Sequence, residues 1–398
     1  MKYLVWGGVI TVLTAFMTGA VLAQDKKSDN RSTDVPGEEQ IEEIVVRAHQ
    51  RTYQENTGAI ATGLDISLIE TPAAVSIISE DILKDQQVNN VDDALRNVAG
   101  VTKFKTGNGG EENFSIRGFD ASQSIYKDGA RINNALNASN IPSTETANIE
   151  RIEVLKGPSA ILYGQGEPGG IINYRTKRPE IKRYTSIEAL AGSFDFYKGE
   201  LDTTGTAPGT DEKLAYRLVV AYEDSDSFRD EVFRERLLLN PSIAFMPTVG
   251  TKLTFGFEYI DDNYTQDRGQ VLDGDAVSGY FYSDRLDESQ FFGIPDHNDQ
   301  TEATSKRYYF IGEHEFNDIW RTELTLARTE NDKTNVDSSP LPAFANGAVI
   351  GPVGSGPTEN LVAIQPRKTI GEGKTSQVTF KNWFDFNGPF GSDHQLLA

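Results

Sequence analysis

Residues 164–169, Gly-Gln-Gly-Glu-Pro-Gly, satisfy the G-x-G-x-x-G pattern with which many chains hold a pyrophosphate. That chemistry needs a helix directly after the last glycine, because the free N–H groups and dipole of the helix N-terminus hold the anion. Here Pro168 and Gly170 lead into Ile171-Ile-Asn-Tyr-Arg-Thr176, a strand-like run, so the glycines read as a tight turn between strands. Catalytic and metal chemistry have no better candidates. The four histidines, His49, His297, His314 and His394, show neither metal nor triad spacing. The absence of cysteine removes thiolate metal sites and disulfides. One short segment offers chemistry of another kind. Glu42-Glu43-Ile44-Val45-Val46-Arg47-Ala48 is a β-branched run between acidic and polar flanks, too short to form a core. Its backbone suits either an ordinary edge strand or capture by a partner through strand addition.

The elements around these residues start with an export signal. Lys2 precedes an apolar run from Leu4 to Met17, and Val21-x-Ala23 stands just before Gln24, so residues 1–23 read as a cleaved signal peptide. No later segment is apolar for the roughly 20 residues a membrane helix needs, so any membrane role must come from strands. The formal charge of −21 becomes −22 when Lys2 leaves with the signal, which makes nucleic acid an improbable partner. Acidic stretches such as 223–231 and 284–299 read as solvated loops, with divalent-ion bridging to lipopolysaccharide the alternative. Residues 24–63 read as a flexible tether that contains the 42–48 run; its first part, 24–40, is polar and without periodicity.

From residue 64 the pattern is that of a small α+β domain. Thr71-Pro72 followed by Ala-Ala-Val-Ser-Ile-Ile predicts a strand, and Ser79 is placed to cap a short helix after it. Asn90, with Asp93 three residues on, predicts a second capped helix that buries Val91, Ala94, Leu95 and Val98 and stops at Gly100. Phe114–Phe119 and Ser124–Gly129 read as strands, the second closing on an Asp-Gly turn. Beyond Pro179 come segments of about ten residues with period-two alternation. Leu214, Tyr216, Leu218, Val220 and Tyr222 alternate with Ala215, Arg217, Val219, Ala221 and Glu223, which suits one lipid face and one wet face. The sets Leu253, Phe255, Phe257, Tyr259 and Trp320, Thr322, Leu324, Leu326 repeat the pattern. A soluble β-sandwich would bury the same faces, but Tyr184, Phe194, Phe245 and Phe386 near strand ends favour the aromatic girdles of a membrane barrel. About nine strands are expected between Tyr184 and Ala398, with long connections at about 264–305 and 333–370 and short turns such as 246–250.

The run Ile149-Glu-Arg-Ile-Glu-Val-Leu-Lys-Gly-Pro158, the Gly166-Glu-Pro-Gly-Gly-Ile-Ile-Asn173 step and Ser115-Ile-Arg-Gly-Phe119 together resemble the plug domain of TonB-dependent outer-membrane siderophore receptors. The resemblance implies a plug at 64–179 inside a transmembrane β-barrel of the 22-stranded type, of which 180–398 would be the N-terminal part, carrying about the first nine strands. It identifies Glu42, Glu43, Ile44, Val45, Val46, Arg47 and Ala48 as the TonB box. The implied activity is energy-coupled import of ferric siderophores by a monomer in the Gram-negative outer membrane, with TonB and its inner-membrane complex as partners. Outer-membrane lipids and lipopolysaccharide would surround it. No resident cofactor is implied, since iron arrives with its chelate. Haem, vitamin B12 and carbohydrate receptors are the alternatives within the family, with His297 the one obvious loop histidine for haem. A passive porin or adhesin would leave the plug and box without purpose, and an exported enzyme would need a site the histidines do not make.

By position, the plug's upper loops place Asn108, Glu111, Glu112, Asn113, Gln123, Asn137 and Asn140 as ligand contacts. Tyr280, Phe281, Tyr282, Phe291 and Phe292 of a barrel loop could give aromatic faces to a bulky chelate. Arg117 and Arg151 match plug arginines that pair with barrel glutamates and hold the plug in related receptors.

Overall fold

The computed structural model describes residues 63, 67–103, 112–132, 142–157, 163, 167–267, 272–275, 279–282, 287–291, 300–340, 364–387 and 393–397. All of them fall within one unit, Arg51–Ala398. The expected signal peptide (1–23) and the expected box at 42–48 lie outside the described residues.

The first eight strands are β1 (Ala74–Ser79), β2 (Val101–Lys103), β3 (Phe114–Ile116), β4 (Phe119–Asp120), β5 (Ile125–Lys127), β6 (Ala130–Arg131), β7 (Ile149–Lys156) and β8 (Gly170–Thr176). They form a sheet in the order β1-β7-β8-β5-β6 and a smaller one of β2, β3 and β4. Helices Glu80–Asp85 and Val91–Leu95 follow β1. Asn90 caps the second as expected: its Oδ1 accepts from Asp93 N at 2.9 Å and its Nδ2 donates to Asp93 Oδ2 at 2.9 Å. Ser79 stands at the N-cap of the first helix in an extended conformation but makes no side-chain cap bond. The core that holds these layers includes Ile78, Val91, Leu95, Phe114, Ile125, Ile152 and Tyr174, all buried. Full burial of each large side chain is worth about 1.5–3 kcal/mol, so this domain has its own apolar anchor.

Two local readings change. Ser-x-Arg-Gly-Phe is a hairpin and not one strand, because Arg117 (φ 53°) and Gly118 (φ 85°) form the turn between β3 and β4. After Gly169 the chain enters β8 directly, so there is no helix N-terminus to meet a pyrophosphate. Gly170 has φ +140°, and a Cβ there would stand 2.0 Å from Leu155 O, so close strand packing fixes this glycine.

The remaining strands are β9 (Tyr184–Ala191), β10 (Tyr197–Thr206), β11 (Leu214–Asp226), β12 (Phe233–Thr248), β13 (Thr251–Thr265), β14 (Leu272–Asp275), β15 (Gly279–Tyr282), β16 (Gln300–Glu315), β17 (Trp320–Pro340), β18 (Ile364–Asn387) and β19 (Asp393–Leu397). Among the described residues all but the small β14–β15 hairpin join one nine-stranded antiparallel meander, the number expected for the first part of the barrel. Strands of 21 and 24 residues at β17 and β18 exceed the roughly 9–11 needed to cross hydrocarbon. They continue past the bilayer, which moves the expected 333–370 connection to 341–363. Ile243, Phe245, Phe255, Leu326, Val378 and Phe380 are exposed on one face, while Ala215, Val219, Leu238 and Ile260 are buried on the other. That division is lipid against plug. Tyr184, Phe194 and Phe245 are exposed as girdle residues should be, and the Phe386 side chain lies outside the description. Turns at 249–250 and 316–319 are short at one end and connections at 266–299 and 341–363 are long at the other, which sets the long end outside the cell.

Candidate functional site

The residues most strongly held together lie where the plug meets the wall. β5 and β6 are joined by the tight turn Asp128–Gly129, with φ of 51° and 77°, which pushes two adjacent charges toward the sheet. Lys127 Nζ donates to Glu258 Oε1 on β13 at 2.7 Å, and Asn148 Nδ2 donates to the other carboxylate oxygen at 2.6 Å. Asp128 Oδ2 accepts from Arg307 Nη2 on β16 at 3.0 Å, and both Asp128 oxygens also bind Thr176. Burial alone would raise the Asp128 carboxyl, but Arg307, then Arg178 and Arg175, outweigh it and hold it well below the usual carboxylate range. Gln377 on β18 completes this contact, accepting from Arg131 N at 2.9 Å and donating to Gly129 O at 3.2 Å.

A second cluster forms around Glu145, which precedes the single turn Thr146–Asn148. Its carboxylate accepts from Lys198 Nζ on β10 at 2.8 Å and pairs with Arg236 Nη2 on β12 at 2.6 Å. Arg236 also reaches Glu223 on β11 at 2.7 Å, Ser143 Oγ at 3.0 Å and Asn89 O at 3.0 Å. Burial would raise the Glu145 pKa, but the two cations bring it down to about 2. Lower down, Lys177 pairs with Glu80 at 2.9 Å and with Asp202 at 3.0 Å, and Asp202 also holds Arg217 at 2.7 Å. Among the described residues the apolar part of the seam is small: Ala147 of the plug against Val219, Ala221, Leu238 and Ile260. Charge pairs therefore carry the grip. Leaving one buried charge without its partner costs about 3–5 kcal/mol, so each pair resists separation of plug and wall.

The positions singled out from the sequence are distributed differently. Asn108, Glu111, Asn137, Asn140 and Phe292 lie outside the described residues. Glu112 is occupied within the plug, accepting from Thr144 N and, at 2.9 Å, from Tyr174 Oη. Burial raises its pKa above the ordinary value despite these bonds. Asn113 is buried and Gln123 half-buried in the turn before β5. Tyr280, Phe281 and Tyr282 belong to β15, and their side chains lie outside the description. Phe291 lines a cavity of about 520 Å³ with Arg229, Asp226, Phe233, Thr265 and Gln300. Asp226 and Phe233, and Thr265 and Gln300, are cross-strand partners at the strand ends beside the long connections, so this cavity lies near the extracellular end of the wall. Arg151 pairs with Glu153 at 2.9 Å and Glu150 at 3.5 Å on its own strand. Arg117 is exposed at the β3–β4 turn, with its side chain beside Gly100 and Gly157. Neither meets the wall among the described residues.

Sequence reasoning missed Lys127, Asp128, Glu145, Lys198, Arg236, Glu258 and Arg307 as a set. The available signal was phase: Lys198, Arg217, Glu223, Arg236, Glu258 and Arg307 all occupy the wet register of their strands.

Comparison with known proteins agrees with this geometry. The family description "TonB-dependent Receptor Plug Domain" matches residues 67–171. The metal-pseudopaline receptor CntO of Pseudomonas aeruginosa is 33% identical over 303 residues, 73% of this chain and 40% of that protein. The catecholate siderophore receptor Fiu of Escherichia coli K12 is 33% identical over 265 residues, 63% of this chain and 33% of its own length. The crystal structure of the Pseudomonas aeruginosa ferripyoverdine receptor bound to ferripyoverdine superposes with a TM-score of 0.76 at 25% identity, covering 87% of this chain and 44% of that one. The chain thus spans about two fifths of the length of the curated relatives it matches.

Proposed function

Because the chain belongs to the TonB-dependent receptor family, we propose that it serves the energy-coupled import of ferric siderophores across the outer membrane. The observation that carries this reading is a separately folded plug held against a lipid-facing sheet by buried charge pairs: Lys127–Glu258, Asp128–Arg307 and Glu145 with Lys198 and Arg236. A passive channel has no use for such a plug. A gated importer needs one that resists leakage and still moves under force.

In this reading the chelate is captured from outside and rests above the plug, with the loops carrying Asn108, Glu111, Asn113, Gln123, Asn137 and Asn140 and the barrel-loop aromatics contributing contacts. Glu112 would act by shaping its loop. TonB takes residues 42–48 as an added strand and pulls, and the seam yields. Arg117 and Arg151 would add to the plug's hold through other parts of the wall. No covalent step is required, and iron is cargo. Related proteins named for catecholate siderophores, ferripyoverdine and ferrioxamine support the ferric-siderophore class. A second reading, a receptor for another metal–metallophore complex, is favoured by the 33% identity to the metal-pseudopaline receptor.

The test is uptake of a panel of labelled ferric siderophores and metal–metallophore complexes by cells with and without TonB. Accumulation of one class only when TonB is present supports import, and TonB-independent entry refutes it. Val45→Pro removes a backbone donor and fixes φ in the box, so it should abolish uptake and leave surface binding intact. Normal uptake by that variant would overturn the box assignment.

A further inference from the structure

The wall side of the seam has a property that the plug contacts conceal. Glu258 on β13 and Arg307 on β16 are direct cross-strand partners in the antiparallel register. Side chains so placed have Cβ atoms about 4.5–5.5 Å apart and ordinarily pair when oppositely charged. Here they do not pair among the described residues. Glu258 is taken by Lys127 and Asn148, and Arg307 gives Nη2 to Asp128 Oδ2 and to Lys127 O. Among the described residues the Arg307 Nε and Nη1 donors meanwhile have no hydrogen-bond partner, although the residue is 1% exposed. A buried guanidinium with two idle donors thus stands opposite a carboxylate whose attention is held by the plug.

A related charge row lies beside it, already paired in part within the wall: Arg236 holds Glu223 at 2.7 Å and Arg234 holds Asp262 at 2.7 Å with the plug seated. Lys198, Glu223, Arg236 and Asp262 lie in register across β10, β11, β12 and β13, each directly opposite the next, with alternating sign. Glu145 of the plug is inserted between the two cations of that row. Both wall sets are neutral without any plug residue.

We propose that the lumenal wall is a self-pairing charge ladder: when the 127–131 hairpin withdraws, Glu258 and Arg307 bond to each other across β13 and β16. The exchange gives each wall charge a new partner at the moment it loses the old one. Unseating then does not strand charges on the wall, and the vacated surface presents pairs in place of bare ions to a passing ligand. On the plug, Lys127 and Asp128 are sequence neighbours of opposite sign and leave as a neutral unit. Glu145 has no such companion on its own turn, which makes it the contact whose release is least compensated. The inference rests on the plug-displacement reading for its purpose, but its test does not depend on transport.

The experiment uses the full-length receptor with Lys127→Met and Asp128→Asn, which removes the plug's claim on both wall residues. Its structure should show Arg307 within 4 Å of Glu258, the ordinary ion-pair distance. In that background a double-mutant cycle with Glu258→Gln and Arg307→Gln, read by urea denaturation of the barrel, should give a favourable coupling of at least tenfold in the unfolding constant. The same cycle in the unmodified receptor should give less. A structure with the two side chains still apart, or a coupling within twofold of unity, overturns the proposal. If the double variant fails to assemble while the fourfold neutral variant assembles, the wall charges were stranded and the proposal is also overturned. Coupling in the variants together with no TonB-dependent uptake by the unmodified receptor would refute the import reading alone.

Discussion

Replacing Glu145 by Gln removes one negative charge from the seam without changing volume, and the structure sets the size of the effect. Glu145 makes two charge-assisted contacts to the wall, Lys198 at 2.8 Å and Arg236 at 2.6 Å, with 2% of the residue exposed. Breaking a buried pair outright costs about 3–5 kcal/mol because it leaves a naked charge. Neither cation is left naked here: Lys198 keeps Glu200 at 2.7 Å, and Arg236 keeps Glu223 at 2.7 Å, Ser143 and Asn89. The amide also retains one acceptor oxygen. The loss is therefore nearer that of one hydrogen bond to a charged group, about 2 kcal/mol, or about thirtyfold in the unseated population at 1.4 kcal/mol per tenfold. The assay is maleimide labelling of Ala130→Cys, a buried position on the plug hairpin, in outer-membrane vesicles of the full-length receptor. Labelling about thirtyfold faster with Glu145→Gln is the expected result, while Glu150→Gln at an exposed plug position should leave the rate unchanged. A rate within twofold of the parent would refute the claim that charge pairs carry the grip.

Glu145 titrates at about 2 when seated and near its ordinary 4.5 when released, so its contribution is complete above about pH 4.5 and lost as pH falls toward 2. Asp128 acts in the same direction. Glu112 has a raised pKa, so its contribution to plug folding is present below 4.5 and lost as pH rises through the raised value. Divided by the rate of free cysteine at each pH, which removes the loss of thiolate in acid, the labelling rate at Ala130→Cys should thus climb between pH 5 and pH 3, and a flat ratio would contradict the Glu145 and Asp128 assignments. Gly170→Ala places a Cβ 2.0 Å from Leu155 O at φ +140°, so the plug should become protease-sensitive while the barrel still assembles; a resistant plug would show that β7 and β8 can separate. Val220→Arg on the lipid phase of β11 should destabilise the barrel in bilayers by about 2–4 kcal/mol if it lies near the midplane. An unchanged urea midpoint would move that position to the headgroup level.

Two kinds of information made this protein legible. Alternation along the chain was enough to put Leu214–Tyr222 on one face and Ala215–Glu223 on the other, because strand periodicity is local and one register assigns every side chain to a face; the strand-end aromatics and the family resemblance then named those faces lipid and lumen. Local chemistry likewise fixed the Asn90 cap and the Asp128–Gly129 turn, and family resemblance supplied the plug. The Arg117–Gly118 turn was read through as a strand because non-glycine left-handed backbone has only a weak sequence signature.

The partners across the seam were decided by tertiary structure alone. Lys127 and Glu258 are 131 positions apart, and Asp128 and Arg307 are 179. A charge in the wet phase of a strand announces that it needs a partner, but which one it meets depends on how far the plug hairpin reaches and which strand passes beside it. The sequence therefore determined that the lumenal wall would be polar. Only the packed plug decided that Glu258 and Arg307, aligned to bond each other, would each be held by a neighbouring residue of the same turn.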